Sequence, residues 1–167
     1  MTTVKYSLLL ALLVAPPLWA LSDDSEQPIE VEADSLELRE QENISVYQGN
    51  VSLRQGSLQI RSERLVIHFN EARDLVLMEM SGSPARFRQL DDEQREMLGQ
   101  AGRINYRESE SMLELLDNAR FSHAGDTIES NLIRINTEDN NIQAGSADAV
   151  ERVKMLIQPR TSATDPE

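Results

Sequence analysis

The sequence contains no cysteine, which removes disulfide scaffolds, thiol catalysis and Cys-ligated metals together. Histidine is almost absent as well. His68 and His123 stand in no HxxxH, HExxH or GxSxG context, and no Gly-rich phosphate loop occurs, so no metal, cofactor or nucleophile framework is legible and no enzyme is expected. The remaining route to catalysis is a pair of carboxylates in a cleft. Asp91-Asp92-Glu93 reads instead as a solvated loop. Cations are few too: 16 Lys and Arg oppose 29 Asp and Glu, for a net charge of -13. A chain this acidic is a poor partner for nucleic acid or an anionic membrane, both of which are bound mainly through Lys and Arg.

Long apolar runs are also missing, with one short exception at the start. Lys5 precedes an apolar run at residues 8–14, Pro16-Pro17 follows, and Leu18-Trp19-Ala20 ends on a small residue. That is the layout of a signal peptide over residues 1–20, and its apolar run is too short to span a bilayer. Cleavage removes only Lys5 among the charges, leaving a net charge of -14 and Lys154 as the sole lysine. Residues 21–158 are then one ordinary domain, able to bury a core without staples, and residues 159–167 form a flexible tail.

What is abundant is alternation. Ile29-Glu30-Val31-Glu32-Ala33 and Leu36-Glu37-Leu38 alternate apolar with polar, as half-buried strands do. Similar stretches continue past Gly49-Asn50, Gln55-Gly56 and Gly82-Ser83-Pro84 to Val153-Lys154-Met155-Leu156-Ile157, with spacings that suit hairpins. Only residues 90–98 offer a helical alternative, through Leu90, Met97 and Leu98; their polar centre reads more simply as a hairpin loop.

The alternation is duplicated. Shifting residues 29–67 by 68 positions lays Leu36 on Ile104, Leu38 on Tyr106, Tyr47 on Leu115, Val51 on Ala119, Leu53 on Phe121, Ile60 on Ile128, Leu65 on Ile133 and Ile67 on Ile135. A shared burial pattern with few identities is what stacked equivalent units produce. A shorter phrase recurs at Gly49-Asn50-Val51, Gly82-Ser83-Pro84-Ala85-Arg86-Phe87 and Asp117-Asn118-Ala119, 33 to 35 residues apart.

These phrases, together with Gln27-Pro28-Ile29, Tyr47-Gln48-Gly49-Asn50-Val51, Gln55-Gly56 and Asn105-Tyr106, resemble the periplasmic lipopolysaccharide-transport family LptA/OstA over residues 27–158. The resemblance implies an all-β fold, a twisted and partly open antiparallel β-jelly roll of repeated strand units. It also implies a periplasmic protein that binds the lipid A part of lipopolysaccharide between its sheets and stacks head to tail. Such a stack links an inner-membrane extraction complex to an outer-membrane translocon, both with related β-jelly-roll domains. Asp117 departs from the pattern, because the family usually has Gly there.

The inner faces of such a roll carry Ile29, Val31, Leu36, Leu38, Tyr47, Val51, Leu53, Ile60, Leu65, Ile67, Phe87, Tyr106, Leu115, Phe121, Ile133 and Ile135. These residues form either a closed core, as in a scaffolding module of the envelope, or the aliphatic lining of a lipid groove. An open sheet also leaves unpaired edge strands. The expected edges for association are Ile29, Glu30 and Val31 on one side and Val153, Lys154 and Met155 on the other, with Arg152 and Lys154 meeting Glu30, Glu32 and Asp34 of a neighbouring copy.

Overall fold

The computed structural model describes Asp24 and residues 27–145 and 152–159. The expected signal peptide lies outside the described residues, as does all of the expected tail but residue 159. Among the described residues ten strands form one antiparallel sheet: β1 (Glu30–Glu32), β2 (Ser35–Arg39), β3 (Ile44–Gln55), β4 (Leu58–Phe69), β5 (Leu75–Leu90), β6 (Glu96–Arg107), β7 (Met112–His123), β8 (Asp126–Asn136), β9 (Ile142–Ala144) and β10 (Lys154–Leu156). The long strands β3 to β8 pair in chain order; β1 and β2 share the outer side of β3, and β9 and β10 share the outer side of β8. Residues 91–95 join β5 to β6 as the polar hairpin loop expected of them.

A line of register shifts crosses the sheet. Pairing slips at Gln48/Val51, Arg61/Arg64, Ser81/Ala85, Gln100/Arg103 and Leu116/Ala119. Bulges bend strands, so bulges aligned across five ladders crease the whole sheet into two leaves. The residues flanking the crease are small and buried: Ser62, Ala85, Ala101 and Ala119. Gly82-Ser83-Pro84, which reads as a turn, lies inside β5 at this crease, where proline removes no ladder hydrogen bond.

Each leaf carries an apolar row on its inner face. On the first leaf the partners run Val31, Leu53, Ile60, Phe87, Gly99, Phe121, Ile128 and Met155. On the second they run Leu36, Tyr47, Leu65, Met80, Ile104, Leu115, Ile133 and Ala144. The rows pack into one core, with Leu53, Leu65, Ile104, Leu115 and Ile133 fully buried. Gly99 is required where it stands, because a Cβ there would overlap the Phe87 ring. On the outer face Glu114 accepts from Arg107 Nη1 at 2.8 Å and Arg134 Nε at 2.9 Å, tying β6, β7 and β8 together.

The duplication holds at the level of register. Leu36 pairs with Tyr47 as Ile104 pairs with Leu115, and Val51 pairs with Ser62 as Ala119 pairs with Ser130. The 3-10 turns Glu40–Glu42 and Glu108–Glu110 also correspond, each closed by a left-handed residue, Asn43 and Ser111. Asp117 adopts φ 68° and Asn118 φ 56°, matching Gly49 at 81° and Asn50 at 46°. Asp117 therefore takes the left-handed turn despite its side chain, whose Oδ2 accepts from Arg103 Nε at 2.8 Å. A third unit begins at the C-terminal side. Ile128 and Thr127 pair with Met155 and Leu156 just as Ile60 and Gln59 pair with Phe87 and Arg88.

Candidate functional site

Away from the crease the leaves part, and the strand ends form two rims around an apolar cleft. One stretch of it, about 380 Å³, is lined by Leu58, Ile60 and Phe87 from the first leaf and by Leu75, Met78, Met80, Ile104, Tyr106 and Leu113 from the second. The neighbouring stretch, about 360 Å³, shares Phe87 and Leu113 and adds Met97, Phe121 and Ile135. Each volume falls within the range of small-molecule sites. The Phe87 and Phe121 rings lie 6.3 Å apart, with Gly99 between them in register.

The rim is polar and mostly acidic. At one end the Asp24 carboxylate accepts from Ser57 N at 2.7 Å, Ser57 Oγ at 2.5 Å and Gln89 Nε2 at 3.1 Å. Burial raises its pKa, but these donors outweigh burial and hold it below the ordinary value. Gly56 leaves room for this arrangement, since a Cβ there would strike Asp24 Oδ1. Farther along the same first-leaf rim Asp91 accepts from the Glu93 and Arg95 backbone and from Arg95 Nε, and lies 2.7 Å from His123 Nε2. Here too hydrogen bonding overcomes burial and lowers the pKa. Asp91 is thus held as a carboxylate, the reverse of what a general acid needs. On the second leaf Tyr106 is pushed up to about 12, first by burial and then by its bond to Glu108.

The sequence-derived lining residues fall into three groups. Ile60, Phe87, Tyr106, Phe121 and Ile135 line the cleft, and Ile29 joins them at its end. Val51, Leu53, Leu65, Ile67, Leu115 and Ile133 are core, and Val31 and Tyr47 pack against that core. Leu36 and Leu38 depart from the expectation: they are 52% and 60% exposed. Their register places them at the open end of the inner rows, where no further strand among the described residues covers them. At the opposite edge Val153 and Met155 are exposed, with Leu156 and Ile157 beside them. The alternation did not single out Leu58, Leu75, Met97 or Leu113 as lining, since a two-residue period names a face without saying where that face opens. Asp24 carries no signal at all in the sequence pattern.

The fold and the cleft together define an open β-jelly roll, creased around an apolar interior whose two sheet edges are uncovered among the described residues. The family model described as the LptA/(LptD N-terminal domain) LPS transport protein matches residues 30–141, and the chain belongs to that family. It is 30% identical over 151 residues to the lipopolysaccharide export system protein LptH of Pseudomonas aeruginosa, covering 86% of each chain. To the lipopolysaccharide export system protein LptA of Escherichia coli K12 it is 28% identical over 144 residues, covering 86% of this chain and 77% of the relative. The crystal structure of LptH, described as the LptA-homologous periplasmic component of the lipopolysaccharide transport device of Pseudomonas aeruginosa, superposes with a TM-score of 0.73 at 27% identity, covering 81% of this chain and 99% of that one.

Proposed function

We propose that this protein carries lipopolysaccharide through the periplasm, holding lipid A acyl chains in the cleft and joining copies head to tail into a bridge. The observation that carries the reading is the apolar cleft between the leaves, lined along its two adjoining stretches by Ile60, Phe87, Met97 and Phe121 on one side and by Met80, Tyr106, Leu113 and Ile135 on the other. Burial of acyl chains there contributes about 0.8 kcal/mol per CH₂, whereas the acidic rim repels phosphates. The chains, and not the headgroup, therefore supply the affinity.

Bridging follows from the edges. Leu36 and Leu38 end the inner rows at one edge, and Met155 ends one at the other. A second copy adding its β9–β10 edge to β1–β2 covers these side chains and continues both rows. Arg152 and Lys154 then approach Glu30 and Glu32, giving the joint its polarity. The same geometry suits an inner-membrane extraction subunit and an outer-membrane translocon bearing related rolls; the family model itself spans LptA and the LptD N-terminal domain.

A photo-crosslinker placed at Phe87 or Leu113, in protein whose circular dichroism matches the parent, should capture lipopolysaccharide. The same group at outer-face Glu79 should not. Equal capture at all three positions, or none, defeats the reading.

A further inference from the structure

The outer face of the first leaf brings four arginines of an otherwise acidic chain close together. Arg61 of β4 and Arg86 of β5 are directly opposite in register. Arg54 faces Gln59, which in turn faces Arg88, so four guanidiniums from three adjacent strands occupy neighbouring positions on one side of the sheet. Strands lie about 4.8 Å apart, and directly opposed like charges destabilise a pair. Arg88 reaches Glu96 at 2.6 Å. Among the described residues Arg54, Arg61 and Arg86 make no ion pair, and Glu30 lies opposite Arg54 without pairing to it. The patch's four arginines outnumber Glu30, Glu32 and Glu96, which stand in or reach the same rows, and among the described residues the guanidiniums of Arg54, Arg61 and Arg86 are left without an ion pair.

We propose that Arg54, Arg61, Arg86 and Arg88 form a binding site for a phosphorylated saccharide, on the side of the sheet opposite the cleft. Guanidinium forks match phosphate oxygens in bidentate geometry. The cluster is compact across strands and not drawn out along one, so it suits a small dianion better than an extended acidic peptide, whose same-side carboxylates recur about 6.6 Å apart along a line. Ser52, Gln59 and Gln100 stand in the same rows as the arginines and offer hydrogen bonds to sugar hydroxyls. No apolar group of the inner rows reaches this face, and the site does not depend on what occupies the cleft.

Glucose 1-phosphate titrated into the ¹⁵N-labelled protein should shift amide resonances at residues 52–54, 59–61 and 86–88, and saturate them at lower concentration than inorganic phosphate does. Glucose alone should leave them in place. The R61Q/R86Q variant should weaken the interaction at least tenfold while lipopolysaccharide capture at Phe87 continues unchanged, which separates this site from the cleft. Shifts that map elsewhere overturn the proposal, as does equal affinity for inorganic phosphate, the mark of an adventitious ion only. Tighter response to hexaglutamate or to phosphatidylglycerol vesicles overturns it in favour of a protein or membrane partner. Should the double variant not fold, the parent titration still maps the site, and Arg54→Gln tests it alone.

Discussion

The two copies of the repeat share a register but not an environment. In the first copy the strand outside β3 is broken into β1 and β2 and has no further neighbour among the described residues; in the second the equivalent strand, β6, runs unbroken between β5 and β7. Leu36 is consequently 52% exposed where Ile104 is fully buried. The same apolar pattern is thus core in one copy and surface in the other. Position in the stack, and not the local sequence, decides burial. A pattern suited to an interior strand, placed at an edge, is a surface waiting for a partner.

The comparison can be broken most sharply by truncating both equivalents. Ile104→Ala should cost about 2–5 kcal/mol in urea unfolding, and Leu36→Ala less than about 0.5 kcal/mol in dilute monomer; equal costs would mean that β2 is already covered. A smaller effect tests how the copies fill the same space differently. Val31 opposite Leu53 corresponds to Gly99 opposite Phe121, so Gly99→Ala should destabilise by about 1–3 kcal/mol through overpacking against Phe87. Val31→Ala, which only removes volume at an edge, should leave the Phe87 environment intact by aromatic NMR shifts.

Association should respond where folding does not. Leu38→Glu should weaken self-association at least tenfold, about 1.4 kcal/mol, in a light-scattering concentration series, with no change in the unfolding midpoint of the monomer. An unchanged series would remove β2 from the joint. The smallest effect concerns the tether at Asp24. Asp24→Ala should cost under about 1 kcal/mol. Because the folded pKa of Asp24 lies below its ordinary value of 3.8, the contribution is present above that pH and lost as pH falls through the lowered value. Parent and variant should therefore converge in stability on acidification; a gap that widens in acid would reverse the assignment.

The strand pattern was legible because half-buried strands write a two-residue period into the chain, and the duplication was legible because equivalent strands bury equivalent positions. Three things were hidden. Gly82-Ser83-Pro84 has the composition of a turn, yet pairing resumes on both sides of it within β5, since a bulge and a turn use the same residues. Leu36 and Leu38 alternate like core residues, and alternation carries no record of whether another strand follows. The mouth of the cleft is set by how far the leaves part beyond the crease, a tertiary property that left Leu58 and Leu113 looking like ordinary strand-end residues. The 68-residue shift, by contrast, transferred register almost pair for pair.

The inner rows of the two leaves hold no charged residue from Val31 to Met155 or from Leu36 to Ala144. Of these rows Ile60, Phe87, Phe121, Met80 and Ile104 face the cleft, so an alkyl chain held against them trades one apolar neighbour for the next. The surface offers grip without a detent, so displacement along it meets friction but few barriers. In the proposed carrier, net direction then comes from whatever fills the groove at one end and empties it at the other.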